Sequence, residues 1–275
     1  MINNVIVVSD LHCGCQYGLC PPHVTLDGGG EYNQSLYQAQ VWEWWNEFWD
    51  DWVPVVTRGE PYCVVINGDT IDGSHHGSNH QITHNLTDQK NIAFEVLKPI
   101  KAKCDGRIYM IRGTEAHVGQ SAQEEESLAK LLNAIPDEQG RHSRFELYLK
   151  IGNCLSHIMH HIGTTGSMAY ETTALMKEFS EACSESARWN IPAPNMVVRS
   201  HRHRHSEIRV PTADTYGYCF TTAGWQLKTP FVYKVPGGRL TTPQIGGSLI
   251  RQGDEEFYTR HWVKTLPRTK TVEVA

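Results

Sequence analysis

Five short apolar runs constrain this chain more than any other feature. They are Val5 to Val8, Cys63 to Ile66, Ile108 to Ile111, Leu155 to Met159 and Met196 to Val198. Each is too short for a helix and most are rich in β-branched residues, so each predicts a buried strand. Helical periodicity fills the stretches between them. "LYQAQVWEWWNEFWDDW" places Val41, Trp44, Trp45, Phe48 and Trp52 on one face at three- and four-residue spacing. "SAQEEESLAKLLNAI" opens with Ser121 and Glu124 in capping-box register and repeats Leu128, Leu131, Leu132 and Ile135. "ETTALMKEFSEACSESARW" predicts a further helix. Strands alternating with helices predict an α/β fold with at least part of the sheet parallel. After Ser206 the chain turns Tyr-, Thr- and Gly-rich, with strand-like "YGYCFTTAG" and "FVYKV", which predicts a second sheet or an antiparallel extension. No internal repeat, low-complexity tract or linker interrupts it. "PGGRLTTPQIGG" reads as a loop, and too little chain follows it to build another domain. The expectation is one domain over 1–275, with 206–275 as its strand-rich C-terminal part.

Every one of these runs is followed by candidate metal ligands. "SDLH" brings Asp10 and His12, "NGDTID" brings Asp69 and Asp72, and "RGTEAH" brings Glu115 and His117. "MHHIG" brings His160 and His161, and "RSHRHRH" brings His201 and His203. In open α/β sheets the loops beyond the carboxyl ends of the strands converge on one site. Asp-x-His alone is a weak signal, and a Gly-Asp turn can simply cap the next helix. His-x-His at a strand end is stronger, because alternate residues point the same way. A lone histidine is more often structural or solvated, but the ordered set of all these elements is not explained that way.

The remaining composition narrows the function classes. A net charge of −5 argues against broad, sequence-independent nucleic-acid binding. No run of eighteen apolar residues occurs, so no membrane span is expected. The N-terminus has no basic segment, apolar stretch or small-residue cleavage site, and the eight cysteines read as reduced thiols, so a cytoplasmic protein is expected. Cys13, Cys15 and Cys20 with His23 could hold an extra Zn²⁺, but their spacing fits no familiar zinc knuckle and inert thiols are the simpler reading. Of the fifteen histidines, His75, His76, His80 and His84 follow "NGDTID"; they line a substrate pocket, His76 first, or a solvated loop. The tryptophans from Trp42 to Trp52 could stack on bases, although their helical spacing favours packing on a sheet. Arg199, Arg202 and Arg204 flank the His-x-His; Arg202 or Arg204 is a candidate for substrate phosphate, with surface pairing the alternative.

The ordered ligand set resembles the calcineurin-like metallophosphoesterase superfamily. That family's pattern is Asp-x-His, Gly-Asp-x-x-Asp, Gly-Asn-His-Asp/Glu, a later His, and Gly-His-x-His, and the resemblance runs from Asp10 to His203. More narrowly, "SDLHCGC", "LCPP", the Trp-rich helix, "NGDTIDGSHHG" and "RGTEAHVG" look like uncharacterised metallophosphoesterases of phage and prophage sequences. A phage-encoded protein acting in a host cytoplasm would follow. The resemblance implies two packed mixed β-sheets flanked by helices, with the site at the strand ends. It implies Asp10 and His12 on a first metal, Asp69 bridging two ions, His201 on the second metal and His203 on the first. His160 is the expected ligand of its pair, with His161 the fallback, and Asp72 orients the loop. Ser200 stands where the family has glycine, a small-for-small change.

"GTEAH" departs from the family's Gly-Asn-His. Thr114 occupies the Asn position, but a neutral hydroxyl is a poor ligand, so Glu115 is favoured as the ligand with Thr114 the alternative, and His117 is the expected acid. The implied activity is two-metal hydrolysis of a phosphoester. Two divalent ions would clamp the phosphate and lower the pKa of a bridging water, and a protonated His117 would relieve the departing alkoxide. Mixed His and carboxylate ligands without thiolate favour Mn²⁺ first, with Fe, Zn²⁺ or Ni²⁺ as alternatives, over Mg²⁺ or Ca²⁺. The expected substrate is a phosphodiester of a nucleotide or single-stranded nucleic acid. A phosphomonoesterase and a non-catalytic metal-binding module are the alternatives.

Overall fold

The computed structural model describes residues 2–75, 77–119, 121–163, 168–213, 215–234, 240–266 and 271–273. In chain order it begins with β1 (Asn4–Val8), a small hairpin of β2 (His23–Thr25) and β3 (Glu31–Asn33), and helix α1 (Leu36–Asn46). A π-helical segment, Glu47–Trp52, leads into α2 (Val53–Val56), with β4 (Tyr62–Asn67), α3 (Leu86–Lys103) and β5 (Ile108–Ile111) after it. Then come α4 (Glu115–Val118), α5 (Gln123–Leu131), β6 (Ser143–Arg144), β7 (Glu146–Ile151) and β8 (Cys154–Met159). Helix α6 (Glu171–Trp189) precedes β9 (Met196–Arg199), β10 (Ser206–Pro211), β11 (Tyr216–Thr221), β12 (Gln244–Gln252) and β13 (Phe257–Thr265).

These strands form two large mixed sheets. One has the order β13-β12-β1-β4-β5-β6, parallel from β1 to β6 and antiparallel at β12 and β13. The other has the order β10-β11-β9-β8-β7, parallel at its centre and antiparallel at both edges. The chain beyond 206 therefore builds no sheet of its own. It completes both: β10 and β11 join the second, β12 and β13 the first.

Side chains alternate across a strand, and here both faces are apolar because both are covered. Val5, Val7 and Val65 face between the sheets, where they meet Ile158, Val198 and Phe220 of the other sheet. Ile6, Val8, Val64 and Ile66 face the opposite way, onto residues of α1, α3 and α5. On the far face of the second sheet, Leu175 and Phe179 of α6 pack on Val197 and Cys219. The layers are helices, sheet, sheet, helix: two packed mixed sheets flanked by helices.

Three local expectations are corrected. The π-helical segment widens the turn by a residue, so Trp49 enters the core with Val41, Trp45 and Phe48, while Trp44 and Trp52 stay partly buried. Helix α5 has no Ser121 cap: Ala122 at its start takes a left-handed φ of 49° and no side chain caps it. Leu131 of that helix is 53% exposed, and Glu125 takes the inward face with Leu128, Ala129 and Leu132. Of "FVYKV", Phe231 to Lys234 make no strand: residues 230–234 are turns with Phe231 and Tyr233 at the surface, and Val235 lies outside the described residues. Among the described residues, no helix is long and apolar enough to cross a membrane.

Candidate metal centre

The loops leaving β1, β4, β5, β8 and β9 meet at one end of the two sheets, and the backbone there is contorted. Asp10, His12, Asp69, His201 and His203 all have positive φ, between 46° and 71°. They are half of the ten non-glycine residues with positive φ among those described. Each such conformation costs an L-residue roughly 1–2 kcal/mol, and strain concentrated in this way marks a functional constraint rather than a packing one. Glycines let the loops close up. A Cβ at Gly68 would run into the His160 ring, and one at Gly113 would run into Asp69.

Ligand atoms gather in overlapping groups. Asp10, His12 and His203 form one: Nε2 of His12 lies 3.2 Å from Nε2 of His203, which lies 3.2 Å from Oδ1 of Asp10. His12 Nδ1 is 3.1 Å from Asp72 Oδ1, so the proton belongs on Nδ1 and the Nε2 lone pair faces its neighbours. Asp10 Oδ1 is buried without a hydrogen-bond partner. Carboxylates and imidazoles gathered this closely need positive charge among them, from protons or from a cation, and this donor set fits a divalent metal ion.

Asp10, Asp69 and His160 form the adjoining group. His160 Nδ1 donates to the Asn67 carbonyl at 2.7 Å, which turns Nε2 toward Asp69 Oδ2, 3.0 Å away. His201 Nδ1 lies 3.8 Å from the same oxygen. Asp69 also groups with His12 and His117, so it has candidate ligand atoms on both sides of it. His160 is buried in the centre; His161 is exposed and groups with His160 and His201 on the outer side.

Electrostatics make the same demand for positive charge. Burial works to raise both Asp10 and Asp69, yet both are held well below the ordinary carboxylate range. His203 and His160 overrule burial at Asp10, and His160, His201 and His117 do so at Asp69. In return, against its own burial, His160 is raised to about 10 by Asp69 and Asp10, and His203 is raised by Asp10. Protons balance the carboxylates where metal would, so ligand binding by an ion would release them.

The "RGTEAH" turn departs from expectation. Glu115 opens α4, lies exposed, and joins no group of ligand atoms among the described residues. Thr114 points inward instead. Its N–H donates to Asp69 Oδ1 at 2.6 Å and its hydroxyl to Asp69 Oδ2 at 3.1 Å, with His201 Nδ1 at 3.2 Å. The reason is geometric: the helix begins at Glu115, and its first turn carries that side chain off the loop's inner edge. The same turn brings His117 back one residue pair later. Its Nδ1 donates to the Asp72 carbonyl at 2.7 Å and its Nε2 sits 3.9 Å from Asp69 Oδ2. Burial, then His12, push His117 down to about 4.

Of the outlying candidates, Arg202 lines the cavity over the site and donates to the Gly163 carbonyl. Arg199 and Arg204 pair with Glu178 and Glu171. His75 and His80 line the same cavity, while His76 lies outside the described residues. Cys13, Cys15 and Cys20 are buried and join no ligand group among the described residues. Burial raises all three thiols, Cys15 and Cys20 to about 12, so they are protonated.

Two supports were not foreseen. The buried Glu125 carboxylate accepts the N–H of Thr70 at 3.1 Å and of Gly113 at 2.7 Å, fastening the β4 and β5 loops together behind Asp69. Its signal was present: a Glu at i on a face continued by Leu128, Ala129 and Leu132. Ser200 is also more than a small residue. Its hydroxyl receives hydrogen bonds from Asn67 Nδ2 (2.6 Å) and Thr222 (2.8 Å), and Thr222 reaches Ser9, which donates to Asp10 at 2.5 Å. Over these residues lies a cavity of about 380 Å³, lined also by Leu227, Lys228, Phe231, Val232 and Pro243.

No family model matches the chain, and no curated protein does. Solved structures that overlay on it include a Vps29 double mutant from Entamoeba histolytica, at 10% identity, covering 96% of this chain and 99% of that one with a TM-score of 0.41. Vacuolar protein sorting 29 from Cryptosporidium parvum overlays at 9% identity, 96% and 98% coverage and a TM-score of 0.37. A metallophosphoesterase from Sphaerobacter thermophilus does so at 8% identity, 97% and 89% coverage and a TM-score of 0.40. Overlays at these scores carry no weight for function, which rests on the residues of the site.

Proposed function

We propose that this chain is a metal-dependent phosphoester hydrolase of the calcineurin-like metallophosphoesterase type, acting on a phosphodiester of a nucleotide or single-stranded nucleic acid. The observation that carries the reading is the overlap of the ligand groups: Asp10 belongs both to the group with His12 and His203 and to the group with Asp69 and His160, Asp69 also groups with His12 and His117, and His203 Nε2 lies 3.2 Å from the buried Asp10 Oδ1. Asp10, His12 and His203 would hold one ion, and His160 and His201 a second, with Asp69 shared between them. Mn²⁺ suits this imidazole and carboxylate set, with Fe, Zn²⁺ and Ni²⁺ as alternatives. When bound, such ions supply positive charge against the phosphate oxygens and lower the pKa of a coordinated water.

The chain's own residues do the rest. Asp72 and the Asn67 carbonyl fix the ring orientation of His12 and His160, so their Nε2 atoms face inward. The Thr114 N–H fixes Asp69. Arg202 in the cavity wall offers charge-assisted hydrogen bonds to a phosphate oxygen. His117 presents Nε2 to the cavity because its Nδ1–H is committed to Asp72. At its free-site value of about 4 it is neutral at pH 7; an anionic phosphate beside it favours the imidazolium, which can then protonate the leaving oxygen.

A second reading, a metal-binding module without turnover, is favoured by one feature: Thr114 and not a carboxamide or carboxylate reaches the shared centre. Mn²⁺-dependent hydrolysis of bis-p-nitrophenyl phosphate, abolished by chelator, separates the two. No turnover with Mn²⁺, Fe²⁺, Zn²⁺ or Ni²⁺ would leave the binding module.

A further inference from the structure

Beside the metal cavity runs an aromatic groove of about 660 Å³, lined by Tyr17, Tyr37, Trp44, Tyr233 and Leu266. The two spaces share a wall: Leu227 and Lys228 line both. Tyr17 joins them a second time, its ring edge-on to His80 of the cavity (5.8 Å) and its carbonyl accepting the Leu227 N–H at 2.8 Å. Within the groove Tyr17 and Tyr37 lie nearly parallel, 22° apart with centroids at 6.3 Å. Tyr37 and Tyr233 are 64% and 58% exposed, and neither belongs to the core. The Lys228 ammonium sits at the junction, 4.1 Å from the Tyr233 ring centroid and 2.8 Å from the Thr241 carbonyl.

We infer that this groove is the binding site for a nucleobase of the substrate, on the far side of the Leu227–Lys228 ridge from the scissile phosphate. The inference rests on the hydrolase reading above and narrows it to a diester that carries a nucleobase, as in short single-stranded nucleic acid. Size carries the first step. At about 380 Å³ the metal cavity is near the small end of ligand pockets, which run from roughly 300 to 1,000 Å³. A phosphate held among the metal-site residues has the groove as an adjoining space for a base attached to it. Chemistry carries the next. The exit over the ridge passes a cation, suited to a backbone phosphate, and opens on flat aromatic faces, suited to a base. A duplex, whose bases are already stacked, has nothing to place there.

Two esters that release the same p-nitrophenolate test this: thymidine 5′-(p-nitrophenyl phosphate), which carries a base, and methyl p-nitrophenyl phosphate, which does not. In Tyr37→Ala and Tyr233→Ala, both at exposed positions, the ratio of kcat/KM for the thymidine ester over the methyl ester should fall roughly tenfold. Binding is measured separately with an uncleavable, methylphosphonate-linked trithymidylate on the Mn²⁺-loaded full chain. Its affinity should fall by a similar factor in the double variant. An unchanged ratio, or an affinity that the double variant keeps, overturns the groove. If neither ester is hydrolysed by the metal-loaded wild type while the trithymidylate binds and the double variant loses it, the hydrolase reading fails and the groove stands.

Discussion

Consider Glu125→Gln in the metal-free protein. The carboxyl group is wholly buried and receives the Thr70 and Gly113 N–H groups. Burial, and then the charge on Asp69, raise it from 4.5 to about 7. The folded chain therefore keeps a proton that the unfolded chain gives up between those values. The stability this proton confers is fully present below about 4.5 and is lost as pH rises through about 7. At about 1.36 kcal/mol per pH unit, the wild type should lose about 2–3 kcal/mol from this group between about pH 5 and 8. Glutamine never ionises. It keeps one oxygen for one N–H and turns its own NH₂ toward the other, a cost of about 1–3 kcal/mol that is constant with pH. Urea unfolding in chelator at both pH values measures the difference. The variant should gain on the wild type as pH rises, starting below it in acid. A gap that stays constant, or that moves in the wild type's favour, would refute the buried-clamp reasoning. Mn²⁺ affinity should also fall in the variant, since the loops carrying Asp69 and Thr114 lose part of their shared anchor.

Other expectations are simpler to read. His160→Ala should weaken metal binding at least roughly tenfold and His161→Ala far less, checked by Mn²⁺ titration; the reverse order would move the ligand role to His161. Thr114→Ala should lower Mn²⁺ affinity by roughly tenfold while Glu115→Ala leaves it within about twofold; a larger loss at Glu115 would restore it as a ligand. His117→Ala should keep its metal and slow turnover by roughly 10²–10⁴-fold. That loss should be greatest for a sugar-alkoxide leaving group and least for p-nitrophenolate. Equal losses would reduce His117 to a phosphate contact, and lost metal would make it a ligand.

The strands and the loops that carry the candidate ligands were legible because they depend on local pattern. Short β-branched runs became β1, β4, β5, β8 and β9, and the residues just beyond each run land at the same sheet end because the central strands are parallel. Side-chain direction within a turn is not written in that pattern. Glu115 is the better ligand chemically, yet one residue of helix start decides that Thr114 faces the centre. Helix α3 has a weak signature because Pro99 lies inside it and Asp88 and Gln89 share its buried face, breaking the apolar stripe. Glu125 looks like one of three solvated acids; only the packing of α5 shows which of them points at the site. The π-helical widening at Glu47–Trp52 has no signal in hydrophobic spacing at all.

The central claim is that Asp69 joins two ions in one centre. Inductively coupled plasma mass spectrometry of Mn²⁺-loaded, desalted protein tests it most directly, with Asp69→Asn as the control. Asparagine keeps the size of the side chain and removes the charge that His160 and His201 now face. The wild type should hold two ions per chain and Asp69→Asn fewer than two, with turnover lost. A wild type that holds one ion or none, or a variant that still holds two, would contradict it.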